Sequence, residues 1–535
     1  MTSFTENGAL AFTSSGDVFV DFFTSIVRNT APSKALESFQ ICWDANPSTA
    51  VQLLLNLRSV KSGKGEKFLS QNLFGPVFLS LPPAVVEQFL QEYLKAGYVK
   101  DLIVIIESLF KVGRQTEGYN IPSSQIVQFL TSFIQQDAAA LQADPNASVS
   151  LTAKWLPTEN GPYPLTFRAV RTALGLNMKE YRVLISSLRK RIGTLERALA
   201  THQTESIVFT ALPAICHRKN RTALSRKENS KGQELAERVV LAERYAAYKQ
   251  GLTAGTETIK SLGSEPHILT KAAEKSTVLD PVIEAQWKTL VESLGAGGKF
   301  SQTQAVVDVS GSMAGEPMEV AVALGLIVSE LTEEPFRNKV ITFSSQPAMF
   351  SLNGTSLASR VREVKKAPWG GNTDLFAVFK LLVTVAQTYA LRPEQMVKTL
   401  FIFTDMQFDN CGNHNETTYQ AIQNLYGAAG YEVPSLVFWN LRDSVCKAIP
   451  VIHGQIKCAL ISGFSPQMLK LFLDGDITNP LNLVKKALEC FPVLEIPQGT
   501  TLKTVSPVYY ETVDKLRPKK HWKGSENSSE TTTED

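Results

Sequence analysis

From about residue 17 to residue 300 the apolar residues recur at helical spacing. VDFFTSIVRN, ALESFQICW, STAVQLLLNLRSV, PAVVEQFLQEYLKAG, VKDLIVIIESLFKVG and SQIVQFLTSFIQQDAAALQA each repeat the i, i+3, i+4 pattern that builds one apolar helix face. Proline and glycine fall between them, in FGPVFLSLPP, KAGYVKD and EGYNIPSS, as helix stops and starts. Residues 1–300 therefore read as an all-helical half of short paired helices. No fixed sequence period accompanies the pattern.

Near residue 301 the texture changes. QAVVDVS, KVITFSS, KTLFIFTD, SLVFWNL and IKCALISG are short β-rich runs bounded by turn residues, and helical stretches such as EPMEVAVALGLIVSEL and DLFAVFKLLVTVAQTYA separate them. Strands alternating with helices predict a mostly parallel sheet covered on both faces. The expected fold class is thus α plus α/β, with the α/β domain over residues 301–505. The remaining residues, 506–535, include RPKKHWKGSENSSETTTED, which has little to bury and reads as a disordered tail.

Composition narrows the function classes. In 535 residues, 54 Lys and Arg face 51 Asp and Glu, so the net charge is only +3. A nucleic-acid partner would need a local basic face, because the overall balance exerts no long-range pull. Cys42, Cys216, Cys411, Cys446, Cys458 and Cys490 form no CxxC pair and no zinc-type Cys/His spacing, and read as buried reduced thiols. The first residues lack a basic start followed by an apolar run, and nowhere do about 18 uncharged apolar residues follow one another. The expectation is a soluble protein, cytoplasmic or nuclear, with no membrane partner.

Candidate chemistry gathers at the carboxyl ends of the predicted strands, where open α/β sheets place their ligands. DVSGSM supplies Asp308, Ser310 and Ser312, the GGNTD turn supplies Thr373, and KTLFIFTD ends on Asp405. Two carboxylates and three hydroxyls are hard oxygen donors suited to Mg2+ or Mn2+ and poorly suited to zinc or copper. With so few carboxylates, the ion would keep open positions that a partner's carboxylate or phosphate could fill. A competing account is that Ser310 and Ser312 merely cap the next helix while Asp405 starts a turn. Asp374 reads as the N-cap of the helix that follows Thr373.

The set Asp308-x-Ser310-x-Ser312, Thr373 and Asp405 resembles the metal-ion-dependent adhesion site of von Willebrand factor type A domains. More widely, VDVSGSMAGEPMEVAVALGLIVSEL, WGGNTD, FIFTDMQFD, VFWNLRDS, LISGFSPQMLKLFL, LLNLRSVKSGKGEK, AKWLPTEN and YRVLISSLRKRIGTLE look like a little-characterised eukaryotic and viral family related to the Ro autoantigen, the ring protein of the TROVE group. The match to the Ro protein itself is clear only at the metal site and in the order of a helical half before a type A domain. The resemblance implies a ring or horseshoe of HEAT-like helical repeats followed by a Rossmann-like type A domain. It also implies a non-enzymatic ribonucleoprotein scaffold whose partners are structured or small noncoding RNA, without DNA, and a protein bound through the metal.

Charge placement offers a separate indication. Arg189, Lys190 and Arg191, then Arg218, Lys219, Arg221, Arg226 and Lys227, crowd residues 182 to 231 with Glu228 as the only acid of the second run. Such residues can contact phosphates, and they can equally form a solvated face. His217 beside them reads as a surface histidine without a role.

Other chemistries fit less well. A metal-dependent interaction scaffold without RNA is the main alternative, and a metal-dependent phosphohydrolase a weaker one. An aspartyl phosphatase needs an acid two residues after its nucleophile, where this chain has Ser310. KSGKGEK fails the phosphate-loop pattern, with Arg58 at the first glycine and Gly65 at the Ser/Thr position, and reads as a basic turn between helices. There is no GxSxG and no HExxH.

Overall fold

The computed structural model describes residues 2–115, 123–228, 232–259, 265–276, 278–343, 347–366, 374–410, 417–444, 448–474 and 477–517. It begins with a departure from the all-helical expectation. β1 (Thr2–Phe4) and β2 (Leu10–Phe12) form an antiparallel hairpin turned at Gly8, whose φ is +85°. The hairpin lies on the sheet domain: Phe12 and Ile449 exchange backbone hydrogen bonds of 2.9 Å, and the Thr5 hydroxyl donates to the Phe408 carbonyl at 2.7 Å.

The helices follow as the spacing predicts. α1 (Val18–Ser25), α2 (Pro32–Ala45), α3 (Pro47–Arg58), α4 (Lys67–Ser80), α5 (Pro83–Ala96), α6 (Val99–Gln115) and α7 (Ser123–Ala143) pack as neighbouring pairs, followed by α8 (Thr152–Trp155), α9 (Pro164–Ala173) and α10 (Met178–Ile192). Local signals set their ends: Asp17 accepts from two backbone amides to start α1, and α10 opens on an Asn177/Glu180 capping box and closes on left-handed Gly193. A separate small core of Leu195, Phe209, Leu224, Leu241, Tyr245 and Tyr248 holds α11 (Leu195–Ala200), α12 (Ala214–Ser225) and α13 (Ala236–Ala254). α14 (Pro266–Lys275) and α15 (Pro281–Gly295) then lead into the sheet. No helix among the described residues is long and apolar enough to cross a membrane.

The main sheet comprises β3 (Thr303–Val307), β4 (Lys339–Thr342), β5 (Ala348–Ser351), β6 (Thr399–Thr404), β7 (Ser435–Asn440) and β8 (Cys458–Ser462), in the order β5-β4-β3-β6-β7-β8. All pairs are parallel except β4 with β5. β3 and β8 are buried at every position, which explains the apolar stretches AVV and CALI within them, with Thr303, Gln304 and Ser462 as buried polar residues. α16 (Glu316–Leu331) packs against β3, β6, α14 and α15 and is buried nearly all round. Gly325 allows its close approach, since a Cβ there would stand 2.4 Å from Val307 Cγ2. α17 (Leu357–Lys366), α18 (Leu375–Thr388), α19 (Thr418–Ala428) and α20 (Pro480–Leu488) complete the α/β part. Asp374 caps α18 as expected, accepting from Ala377 N at 2.8 Å.

One continuous apolar core runs from the helical half into the sheet, from Ala9 and Phe22 to Leu460 and Val513. The chain's last described stretch fastens the two halves, which corrects the tail expected from residue 506. Trp43 Nε1 donates to the Thr500 carbonyl at 2.6 Å, and α21 (Pro507–Lys515) packs on α4 and α6. Tyr509 is wholly buried there and donates to the Gln71 carbonyl at 2.6 Å. Residues 518–535 lie outside the described residues.

The α3–α4 connection, expected to be a basic turn, does link those helices, but while Lys61 is exposed two of its charges, Lys64 and Glu66, face inward. Lys64 is buried, and its ammonium group donates to the carbonyls of Phe23 and Ile26 and to Ser462 Oγ of β8. Glu66 is buried against Arg28, at 3.2 Å. Next to them, Arg58 and Asp101 form a buried pair at 2.6 Å.

Candidate metal centre and basic surface

Counted within the α/β domain, the strand order is 3-2-1-4-5-6, and its direction reverses between β3 and β6. Such a switch point leaves a crevice at the carboxyl ends of the two strands. Asp308 directly follows β3 and Asp405 directly follows β6. Both are buried. Asp308 Oδ1 accepts from Ser310 N at 2.9 Å and Oδ2 from Thr404 Oγ1 at 2.8 Å. The hydroxyls of Ser310 and Ser312 lie 3.0 Å apart. Thr373 falls outside the described residues.

The capping account of the serines fails on this geometry. Ser310 precedes the short 3-10 turn Gly311–Met313 without a side-chain cap bond, and α16 starts after Gly315. Asp405 does make a turn contact, Gln407 N to Oδ1 at 3.2 Å, while its Oδ2 lies 3.3 Å from Arg442 Nη1. Met406, next in the chain, holds a left-handed φ of 66°, a costly conformation for a residue with a Cβ. Burial and the nearby charge of Asp405 push the Asp308 carboxyl up to about 6. A hard divalent cation would relieve both pressures, and the oxygen set suits one. Beside Asp405 a cavity of about 60 Å³ opens between α1 and the strand ends, lined among others by Thr24, Lys34, Arg442 and Asp443.

The basic residues do not form the single surface that their crowding in sequence suggests. Arg189 donates to the carbonyls of Ala153 and Leu156 at 2.9 and 2.7 Å, and Arg191 to those of Ala147 and Asn146. Arg221 pairs with Asp280 at 3.3 Å, and Arg218 is half-buried, which lowers its pKa. Lys190, Lys219, Arg226 and Lys227 are exposed. His217, expected at the surface, is instead buried against Tyr245 and Tyr248, with ring centroids 5.4 and 5.7 Å away, and burial pushes it down to about 4.

A different basic cluster forms in space. Lys100 at the start of α6 is held below the usual lysine value by partial burial and by the ammonium groups of Lys67 on α4 and Lys219 on α12. Lys100 and Lys154 both lie over the ring of Trp155, at 5.8 and 5.3 Å. Of these residues only Lys219 stood out in the sequence, because the others come one at a time from separate helices.

The cysteines need a partial correction: Cys42 and Cys458 are buried, but Cys216 is partly exposed and Cys490 exposed, and Cys411 and Cys446 lie outside the described residues.

Comparison with known proteins adds two family models and a relative. Residues 302–489 match a domain of unknown function, DUF7788, and residues 5–117 match another, DUF2828. An uncharacterised protein of Acanthamoeba polyphaga mimivirus is 33% identical over 551 residues, an alignment that covers 99% of this chain and 96% of the viral one.

Proposed function

Taking as premise that the chain belongs to one family with the mimiviral protein, which it matches nearly end to end, we propose a non-enzymatic scaffold that binds a partner through a divalent metal. Asp308, Ser310, Ser312 and Asp405 hold Mg2+ or Mn2+, with Thr373 as a further oxygen, and an acidic group of the partner completes the ion's shell. The observation that carries this reading is the meeting of two buried carboxylates and a pair of neighbouring serine hydroxyls at the β3/β6 switch point. The strand order supports a Rossmann-like type A identity for the α/β domain. The packing of α2 on α3, α3 on α4 and α5, and α4 on α6 supports the HEAT-like reading of the helical half. A binding role suits Asp308 better than turnover, since its hydrogen-bond partners are an amide and the hydroxyls of Ser310 and Thr404 and none is a general acid.

Calorimetry with magnesium or manganese chloride tests the site. The parent chain should bind one ion there, and both Asp308→Ala and Ser312→Ala should weaken it, the first by more than about 100-fold. Equal affinity in the parent and both variants would refute the metal reading.

One observation favours RNA as a second ligand: Lys100 and Lys154 lie over Trp155, and the charges of Lys219 and of the Asp101-paired Lys67 act on Lys100, joining phosphate-type charge to a stacking surface. Neutralising Lys100, Lys154 and Lys219 together should flatten the dependence of log affinity for a single-stranded RNA on log salt by about 2. Neutralising Arg189 and Arg191, whose donors are engaged by carbonyls, should leave that slope unchanged. An RNA affinity indifferent to the lysine triple would remove this second ligand.

A further inference from the structure

A second set of ligand-type side chains meets where the helical half joins the sheet. Glu265 stands immediately before α14, His267 is that helix's second residue, and Glu316 is the first residue of α16. One oxygen of each glutamate and a ring nitrogen of the histidine lie within 4.8 Å of one another. His267 Nε2 is 3.4 Å from Glu265 Oε2 and 3.4 Å from Glu316 Oε1. Both separations exceed the roughly 2.7–3.2 Å of an N–H···O hydrogen bond. They match the ligand–ligand edge of a tetrahedron with bonds of about 2.0–2.1 Å, which works out near 3.4 Å.

The environment of His267 points the same way. The side chain is 3% exposed, and its Nδ1 finds no hydrogen-bond partner among the described residues. Its nearest ring neighbour is Phe464, with centroids 6.0 Å apart. The polar company of this buried ring is thus confined to Nε2, which faces the two carboxylates.

Arg28 binds Glu265 through two bonds of 2.8 and 2.9 Å, contacts Glu66 at 3.2 Å and reaches Glu316 at 3.6 Å. The charges of Lys64 and Arg218 also act on Glu66 and Glu265, respectively.

We propose that Glu265, His267 and Glu316 hold a zinc-class divalent cation that staples α14 to α16, with Arg28 orienting Glu265 through its two hydrogen bonds. An imidazole with two carboxylates suits zinc, whereas magnesium prefers all-oxygen octahedra, whose edges of about 3 Å are shorter than the separations found. Outer hydrogen bonds to a ligating carboxylate, such as those from Arg28, are the usual support of such a centre. Glu316 lies four residues after Ser312, so the staple would fix the helix that follows the first metal loop. The inference does not depend on an ion being bound at Asp308.

The test uses the full chain carrying Asp308→Ala, so that zinc cannot report on the other site. Calorimetry should find one zinc ion per chain, and adding His267→Gln or Glu316→Gln should weaken it by more than about 100-fold. Thermal melts in EDTA check that each variant folds. Added zinc should raise the melting temperature of the Asp308→Ala chain and leave that of the doubly substituted chains unchanged. Cobalt should give the visible bands of a tetrahedral site without thiolate charge-transfer absorption. Zinc affinity unaltered by His267→Gln and Glu316→Gln, or a cobalt spectrum showing thiolate ligation, overturns the proposal.

Discussion

Two buried charged places in this molecule are organised in opposite ways. At the β3/β6 switch point, like charges meet: Asp308 and Asp405 are both buried, and among the described residues the cation in contact with them is the part-exposed Arg442. At the joint between the halves, opposite charges are matched: Arg58 with Asp101 at 2.6 Å, Arg28 with Glu66 at 3.2 Å, and Lys64 against two carbonyls and a serine hydroxyl. Mutual repulsion in low dielectric is relieved by a ligand cation, whereas a matched pair fixes the orientation of whatever carries it. The contrast separates the proposed Asp308 site from the matched pairs of the joint without reference to any relative.

The comparison breaks most readily at Asp101. Its carboxylate serves Arg58, Gln71 and the Tyr98 amide at 2.6–3.0 Å, and Arg58 is only 1% exposed. Asp101→Ala strands that guanidinium in the core, and urea unfolding should show a loss of about 3–5 kcal/mol. A loss below about 1 kcal/mol would mean that the joint does not depend on its pairs.

Lys64 sharpens the same contrast through pH. Burial pushes its amine down to about 7 from 10.5. Between these values the unfolded chain binds the proton and the folded chain has released it, so stability rises with pH across this window. Unfolding followed from pH 7 to pH 9 should show that rise in the parent, on the order of a few kcal/mol, and Lys64→Met should abolish it. Parallel curves for the two chains would place the titration elsewhere.

How much of this could be read in the residues follows from how each feature is encoded. Asp308, Ser310, Ser312 and Asp405 were legible because strand ends are local, and sheet topology then brings neighbouring ends together. The Asp374 cap was legible for the same reason. The cluster of Lys67, Lys100, Lys154 and Lys219 was not, since no sequence window contains it. Arg189 and Arg191 misled because a long side chain can turn back onto nearby carbonyls, which only the packed chain reveals. The inward-facing Lys64 and the buried Tyr509 of α21 escaped for a related reason: a short polar segment reads as surface until the partner that covers it is known. The N-terminal hairpin has strands of three residues, too short for an alternating pattern to register.

The smallest effect on stability, and the sharpest discrimination, is expected at Asp308. Asp308→Asn keeps an acceptor for Ser310 N, and its amide can donate to Thr404 Oγ1, which now acts as the acceptor. What disappears is a carboxylate that burial and Asp405 hold up to about 6. For a carboxyl raised in this way, the folded chain binds more protons than the unfolded one between about 4 and 6, so the ionised group lowers stability above that window. Removing the charge at pH 7 without metal should therefore leave stability unchanged or raise it, by up to about 3 kcal/mol. With saturating magnesium the order should invert, because only the parent gains from binding. A metal-free Asp308→Asn chain that unfolds well before the parent would show that Asp308 is a matched structural charge like those of the joint, and the distinction between the two places would fall.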